Sequence, residues 1–499
     1  MGSRLALGTL LGISLVGAAL RLRWLGRPLQ FDEGFTYLQY AAVDSLWTAI
    51  SRYDFPNNHL LHSCLAWLSV HALGSSPVTL RLPTWIAGVL LPPMVFLLAR
   101  RVAGCSAALS AAALTAGCHK LIDYSVDARG YMLQCTLYVL GLWLIARQVE
   151  RPALTRVAVA ALALSAATFA VPTMAFGVGT AFVWGFWLAH QQPRNEHRRV
   201  VGGLLLTGVV ATLITVLMYL PALLYVRRHG LIFVGADSYA GFAAYLMSLG
   251  KTLQTMLAPG LSWVVLAGLV AGVVQALSRR EPPLLALWLA WPLLTLALHY
   301  NLSDKAPFTR NFLFLAPLMF VLAGQGLAVI LDQLWPARSQ WLTVGVALLL
   351  LGWSGEHGNR VVGKAAAIEF ANPRVSYEQI QKHLKNGDHV AMHGRHSQLL
   401  RAYSRMDSQV RLRRRGARTW ALEIMQRVES GDERPEPFQK RSRFFILDLG
   451  RGETNSALRW LSKSKLGRKY TFETEVVWES KPKGASRSVL LRVRRLRKR

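Results

Sequence analysis

Long apolar runs separated by short polar connections dominate most of the chain. A bilayer core is roughly 30 Å thick and takes about 20 apolar helical residues to cross, so these runs read as transmembrane helices. The first is Leu5 to Leu20, flanked by Arg4 and by Arg21 and Arg23. Gly17, Ala18 and Ala19 close it with small residues, so a cleaved signal peptide competes with a retained helix; the many spans that follow favour retention. Pro83 to Ala99 follows, then 103–118, 130–146, 155–171, 173–190, 201–224, 261–278, 284–300, 310–331 and 341–353. This makes about 11 spans, with Pro92-Pro93 and Pro172 placed to kink theirs. Between the first two spans lies a polar-containing segment, residues 26–80. Within it Phe35 to Ile50 and Leu60 to Leu73 have the mixed pattern of helices lying at the interface.

Beyond residue 353 the pattern changes. Residues 354–372 read as a linker and 373–499 as a small soluble α/β domain. Tyr377 to Leu384, Ala421 to Val428 and Ser456 to Leu461 have helical periodicity. His389 to Met392, Phe444 to Leu447, Phe472 to Trp478 and Val489 to Val493 have strand patterns. The expected fold class is mainly α: polytopic transmembrane helices, interfacial helices in the first outer loop, and that C-terminal domain.

Composition agrees, with 52% hydrophobic and 17% charged residues among 499. The net charge of +30 raises nucleic acid as a partner, but its placement argues for a membrane. Arg100-Arg101, then Arg147, Arg151 and Arg156, then Arg194, Arg198 and Arg199, then Arg279-Arg280 occupy every second connection, the positive-inside pattern. Much of the remaining excess lies in the tail, ending in the run from Arg492 to Arg499, where anionic headgroups are the natural partner. Cys64, Cys105, Cys118 and Cys135 have no CxxC spacing and imply neither a disulfide framework nor a zinc site. With basic connections cytoplasmic, an odd span count puts the tail outside, together with 26–80, 119–129, and 225–257 with 301–309.

Four polar groups fall on that outer side. They are Asp32-Glu33; Asn57-Asn58-His59 with His62; the run Tyr124-Ser125-Val126-Asp127-Ala128-Arg129-Gly130-Tyr131; and Arg310. Each has a plain explanation. The acidic pair would suit a helix N-terminus. The two histidines share a helix face as rim residues do. Asp127 and Arg129 could form a surface ion pair, and Arg310 could snorkel to a headgroup. Gathered at one membrane face, however, ionisable groups mark a site, because they are costly there. Arginine holds phosphate through a planar fork, and a carboxylate takes the proton of an attacking hydroxyl or amine.

Five stretches, in order, resemble the polyprenyl-phosphate-sugar-dependent glycosyltransferases of the GT-C fold, the superfamily of protein O-mannosyltransferases and lipid A aminoarabinose transferases. Phe31-Asp32-Glu33-Gly34-Phe35-Thr36-Tyr37 resembles the acidic pair of the first outer loop. Asn57-Asn58-His59-Leu60-Leu61-His62 is similar to an Asn-His-Pro-Leu region, with Leu60 where proline is usual. Thr79-Leu80-Arg81-Leu82-Pro83 resembles a Leu-Arg-Leu-Pro entry to span two. Tyr124 to Tyr131 is similar to Tyr-Ser-x-Glu-Ala-Arg-x-Tyr, with Asp127 in place of Glu. Arg310-Asn311-Phe312-Leu313 resembles a later Arg-Tyr-Leu element, with Asn311 in place of Tyr.

The resemblance implies a multi-pass protein of the plasma (inner) membrane whose site faces outside or the periplasm. It would move a sugar, with inversion, from a polyprenyl-phosphate carrier to a glycan, lipid or protein acceptor. It implies Asp32 as general base with Glu33 orienting, and Arg129 and Arg310 on the donor phosphate. Asn58, His59, His62, Arg81, Tyr124, Asp127 and Tyr131 would contact sugar or acceptor or orient the others. Metal use varies in the family, so a divalent cation stays open, as do sugar and acceptor. Nucleic acid is not an expected partner. A transporter or flippase of lipid-linked saccharides is the competing reading, against which stand the missing repeats and the charges gathered at one face. A membrane-anchored assembly protein would need one span only.

Overall fold

A computed structural model describes residues 3–55, 58–231, 262–278, 309–336 and 339–368, the five strands of the tail, and a few further tail and loop residues. The expected spans 284–300 and the helix at Ser456 to Leu461 lie outside the described residues. The helices are α1 (Ser3–Leu25), α2 (Phe31–Thr36) followed by a π-turn (Tyr37–Ala41), α3 (Leu46–Ser51), α4 (Leu60–Leu73), α5 (Pro77–Gly117), α6 (His119–Ser125) and α7 (Tyr131–Glu150). They continue with α8 (Leu154–Ala170), α9 (Met174–His190), α10 (Arg194–His229), α11 (Ser262–Ser278), a 3-10 turn (Thr309–Phe312), α12 (Leu315–Leu334) and α13 (Ser339–Ile368). Five of the described helices, within α1, α5, α7, α10 and α12, are long and apolar enough to cross a membrane, and α4, α8, α9 and α11 are shorter apolar helices. Exposed leucines, valines and tryptophans such as Leu7, Leu217 and Trp263 cover their outer faces, as expected where lipid replaces water.

Three boundaries depart from the sequence expectation. α5 spans two of the predicted runs and breaks at Gly104, whose φ of +85° suits a residue without Cβ, rather than at Pro92-Pro93. Phe35 to Ile50 is not one helix: it is interrupted after Ala41, and Ser45 restarts it by accepting a hydrogen bond from the Trp47 N–H at 3.1 Å. α13 runs on to Ile368, through most of the segment expected as a linker.

Two compact units emerge. One comprises Met1–Leu25, Val43–Leu68 and Arg81–Val361; the other comprises Gly26–Ala42, Ser69–Leu80 and Val362–Arg499. In the first, an apolar core runs through α5, α7, α9 and α12, with small residues setting the spacing. The alanine-rich second half of α5 buries Ala107, Ala108, Ala111, Ala112 and Ala113. Gly324 of α12 faces Ala111 of α5, and Gly326 faces Gly268 and Gly272 of α11. Backbones approach this closely only where a side chain is missing, the small-xxx-small device of membrane helices. Replacing Gly326 by Leu should cost about 1–3 kcal/mol or more through overpacking, read as a lower melting temperature and poorer recovery in detergent. An exposed glycine such as Gly8, with nothing near its missing side chain, should accept the same change.

The polar contacts sort this unit into two ends. At one, Arg101 pairs with Glu150, and His197 Nδ1 lies 2.9 Å from the Ala189 carbonyl, joining the basic connections. At the other, fully buried Arg21 donates to the carbonyls of Ala116 (2.8 Å) and Thr115 (3.4 Å) and to Ser125 Oγ (3.0 Å). Those carbonyls belong to the last turn of α5, where the helix leaves acceptors unfilled and its dipole favours a cation. Trp24 donates to Asn359 Oδ1 at 2.8 Å, which brings α13 to this same end.

The second unit holds a five-stranded sheet of β1 (His389–Met392), β2 (Ala421–Ile424), β3 (Phe444–Asp448), β4 (Tyr470–Glu479) and β5 (Val489–Lys498). Its order is β2-β1-β3-β5-β4, with β1 parallel to both β2 and β3, and β5 antiparallel to β3 and β4. Ala421 to Ile424 is therefore a strand where a helix was expected. Its helical spacing was too short a signal to outweigh pairing with β1.

Candidate active site

Within the first unit, the end away from the basic connections carries most of the expected residues. α6 closes at Ser125 and α7 opens at Tyr131; the turn between them carries Asp127 and Arg129, with the Arg129 N–H donating to the Asp127 carbonyl at 2.7 Å. Gly130 fits here because a Cβ would meet the Ala170 carbonyl oxygen and stand 3.0 Å from both Cβ and Nδ1 of His59. The turn is thereby pressed against the end of α8 and against the residue preceding α4.

Tyr131 is the hub. Its ring meets His59 edge-on at 4.7 Å and Tyr124 at 5.4 Å, and the Arg310 guanidinium lies 5.8 Å from its centre, within cation–π range. Arg310 arrives on the 3-10 turn that starts α12. Arg129 is 2% exposed, Asp127 8%, His59 5% and His62 fully buried. The cluster holds two guanidiniums and one carboxylate, so Arg129, Arg310 and Asp127 together carry an excess of positive charge at a largely buried place, where it favours an anionic ligand. Burial and the nearby Arg129 guanidinium hold His59 well below the usual histidine range, so its imidazole is neutral. Burial and the Asp127 carboxylate push the Tyr124 hydroxyl up, so it stays protonated and able to donate.

Asn58 and Arg81 support this arrangement. Asn58 accepts from Ser63 Oγ (2.6 Å) and donates to the carbonyls of Arg52 (2.7 Å) and Ala49 (3.3 Å), pinning the loop that ends in His59. Fully buried Arg81 donates to the Leu25 carbonyl at 2.9 Å, capping α1 where the chain leaves it. Beside this loop is a group the sequence reading did not single out. Asp54 bonds to Arg52 (2.5 Å) and to the Tyr225 hydroxyl of α10, and Tyr225 stacks on His229 at 4.2 Å. Asp54 stands four residues before Asn58, so its polar neighbourhood was visible, but its partner 171 residues away was not.

Asp32 and Glu33 belong to the second unit, on α2. Glu33 is fully buried, and its carboxylate accepts the Gln30 N–H at 2.7 Å. The capping explanation thus holds for Glu33, which ties down its own helix, while Asp32 is half-buried. Two tail residues brace the same segment: the Tyr403 hydroxyl accepts the Leu29 N–H at 2.8 Å, and Arg405 donates to the Ala42 carbonyl at 2.6 Å. No local pattern announces contacts across 374 and 363 positions. Removing the acceptor with Tyr403→Phe should strand a buried donor at about 1–3 kcal/mol, so amides of residues 26–42 should exchange at least about fivefold faster by hydrogen–deuterium mass spectrometry.

Among the described residues no three His, Cys, Asp or Glu side chains gather as a metal-binding set.

The fold has known counterparts. The aminoarabinose transferase ArnT of Cupriavidus metallidurans, solved bound to undecaprenyl phosphate, superposes with a TM-score of 0.60 at 14% identity, covering 98% of each chain. Its apo form gives 0.59 at 12% identity, covering 97% of this chain and 98% of that one. The oligosaccharyltransferase of Archaeoglobus fulgidus, tethered to an acceptor peptide containing the NVT sequon, gives 0.50 at 12% identity, covering 95% of this chain and 73% of its own. No protein-family model and no curated protein sequence matches the chain. The architecture is therefore the GT-C fold of polytopic membrane proteins.

Proposed function

We propose that this chain is a membrane glycosyltransferase that moves a sugar from a polyprenyl-phosphate carrier to an acceptor on the non-cytoplasmic side of the membrane. The observation that carries the reading is the cluster of buried Arg129, His59 and Tyr131 with half-buried Arg310 at the end of the bundle opposite the basic connections. Such a cluster suits a lipid phosphate with an attached sugar, and the ArnT structure with undecaprenyl phosphate supports a ligand of that class.

In this reading the acceptor O–H or N–H gives its proton to Asp32 as its heteroatom attacks the anomeric carbon. The bond from that carbon to the phosphate oxygen breaks, and its electron pair leaves with the phosphate, giving inversion. Arg129 and Arg310 stabilise the charge that develops there, the kind of interaction that contributes most to such reactions. Glu33 fixes α2, Asp127 orients Arg129, and His59, His62 and Tyr124 address the sugar or acceptor. Asp32 follows Leu25 by seven residues, and the Arg81 bond fixes Leu25 at the exit of α1. α13 carries the chain to the end where Trp24 lies, which supports an extracytoplasmic tail.

The test is transfer from radiolabelled undecaprenyl-phosphoryl sugars in proteoliposomes supplied with cell-envelope acceptors. Label moving to an acceptor supports the reading. Label crossing the bilayer while still on its lipid, with no product, would replace it by a flippase.

A further inference from the structure

The hydrogen-bonding state of His59 is dictated by its partner. A carbonyl oxygen only accepts, so the contact of Nδ1 with the Ala170 carbonyl at 3.0 Å places the ring proton on Nδ1. In the neutral ring this leaves Nε2 as a bare lone pair. That nitrogen is buried, in a residue 5% exposed, and it has no hydrogen-bond partner among the described residues. The ring is closely packed: a Cβ added at Gly130 would stand 3.0 Å from its Cβ and Nδ1, and the Tyr131 ring meets it in a T-shaped contact at 4.7 Å. Burial against the neighbouring arginines also opposes a second proton.

A lone pair held this way discriminates sharply. It repels an ionised phosphate oxygen and accepts from an O–H or N–H. The guanidiniums beside it are donors only and prefer the reverse. Resting on the reading of the site as one for a lipid-phosphate sugar, we propose that His59 Nε2 accepts a hydrogen bond from a hydroxyl of the carried sugar. The cluster then recognises the donor's two halves with opposite chemistry, arginines for the phosphate and His59 for the sugar. His59 is thus a specificity residue, and lipid phosphate without sugar leaves it unused.

Asparagine separates this role from a structural one. Its side-chain amide nitrogen stands where Nδ1 does and keeps the bond to Ala170, but nothing replaces Nε2. Glutamine places an amide near the Nε2 position instead. The experiment measures binding of undecaprenyl phosphate, and of a pool of undecaprenyl-phosphoryl sugars, to the full chain in nanodiscs. For His59→Asn, affinity for bare undecaprenyl phosphate should stay within about twofold, while affinity for the sugar-bearing pool should fall about tenfold or more, the cost of a buried polar group losing its partner. His59→Gln should recover part of that loss. In the natural chain, the 15N resonance of the His59 Nε2 should move with the sugar-bearing pool and stay put with the bare lipid. Equal binding of the pool by His59→Asn and the natural chain would overturn the assignment, as would equal loss of both ligands. A natural chain that prefers the pool no more than the bare lipid also overturns it, while leaving the arginine site standing. Failure to bind either ligand strikes the functional reading itself.

Discussion

Asp32→Asn should abolish transfer, lowering the rate by about 10²–10⁴-fold while protein level and lipid-phosphate binding stay normal. The substitution keeps the size of the side chain and removes only its capacity to take a proton. The neighbouring carboxylate offers a built-in contrast. Glu33 is fully buried and spends its oxygen on the Gln30 N–H, so Glu33→Gln, which can still accept that bond through its amide oxygen, should keep much of the activity. Glu33→Ala should instead loosen α2 and lower activity together with stability. If Asp32→Asn transferred sugar at the natural rate while Glu33→Gln did not, the two roles would have to be exchanged.

Loss of the guanidiniums should be nearly as damaging, by another route. Arg310→Ala should lower kcat/KM by about 10²–10³-fold, the scale of removing one preorganised donor from a developing anion, and Arg129→Ala by at least as much because its side chain is almost wholly buried. Arg310→Lys keeps the charge but not the planar fork or the stacking on Tyr131, so it should recover only part of the rate. The comparison is made on solubilised protein with matched melting temperatures. An arginine that merely anchored its helix to headgroups would be replaced by lysine without loss, since both reach the interface alike.

Much of this was legible in the sequence, for identifiable reasons. Apolar length fixes membrane helices because every backbone group must bond within its own segment, so α9 falls within a residue of expectation, and the mixed pattern of Leu60 to Leu73 gives the bounds of α4. The strands β1, β3, β4 and β5 lie on segments whose patterns announced them, whereas β2 was too short and too ambiguous to be told from a helix. The site residues were visible as polar exceptions at span ends. Their grouping was visible only in part: Tyr131, His59 and Arg310 meet through packing between segments far apart in the chain, and local periodicity carries no information about that. The same blindness applies to Tyr403 and Arg405 on the acidic loop and to Tyr225 on Asp54. Asn58 and Arg81 were read as candidates to touch substrate or orient its ligands, and their bonds to Ala49, Arg52 and Leu25 show what they hold in place.

Sugar transfer by these residues requires that the acidic loop and the guanidinium cluster open to one compartment, opposite the basic connections. Single cysteines in a background lacking Cys64, Cys105, Cys118 and Cys135, labelled on intact cells with a membrane-impermeant maleimide, test this directly. Exposed Leu73 at the end of α4, Arg228 at the end of α10 and Glu356 on α13, each changed to Cys, should all label from outside. Arg151→Cys and Asn195→Cys, at the basic connections, should label only after the cells are opened. Labelling of the Leu73 and Arg228 positions from opposite sides of the membrane would contradict the account.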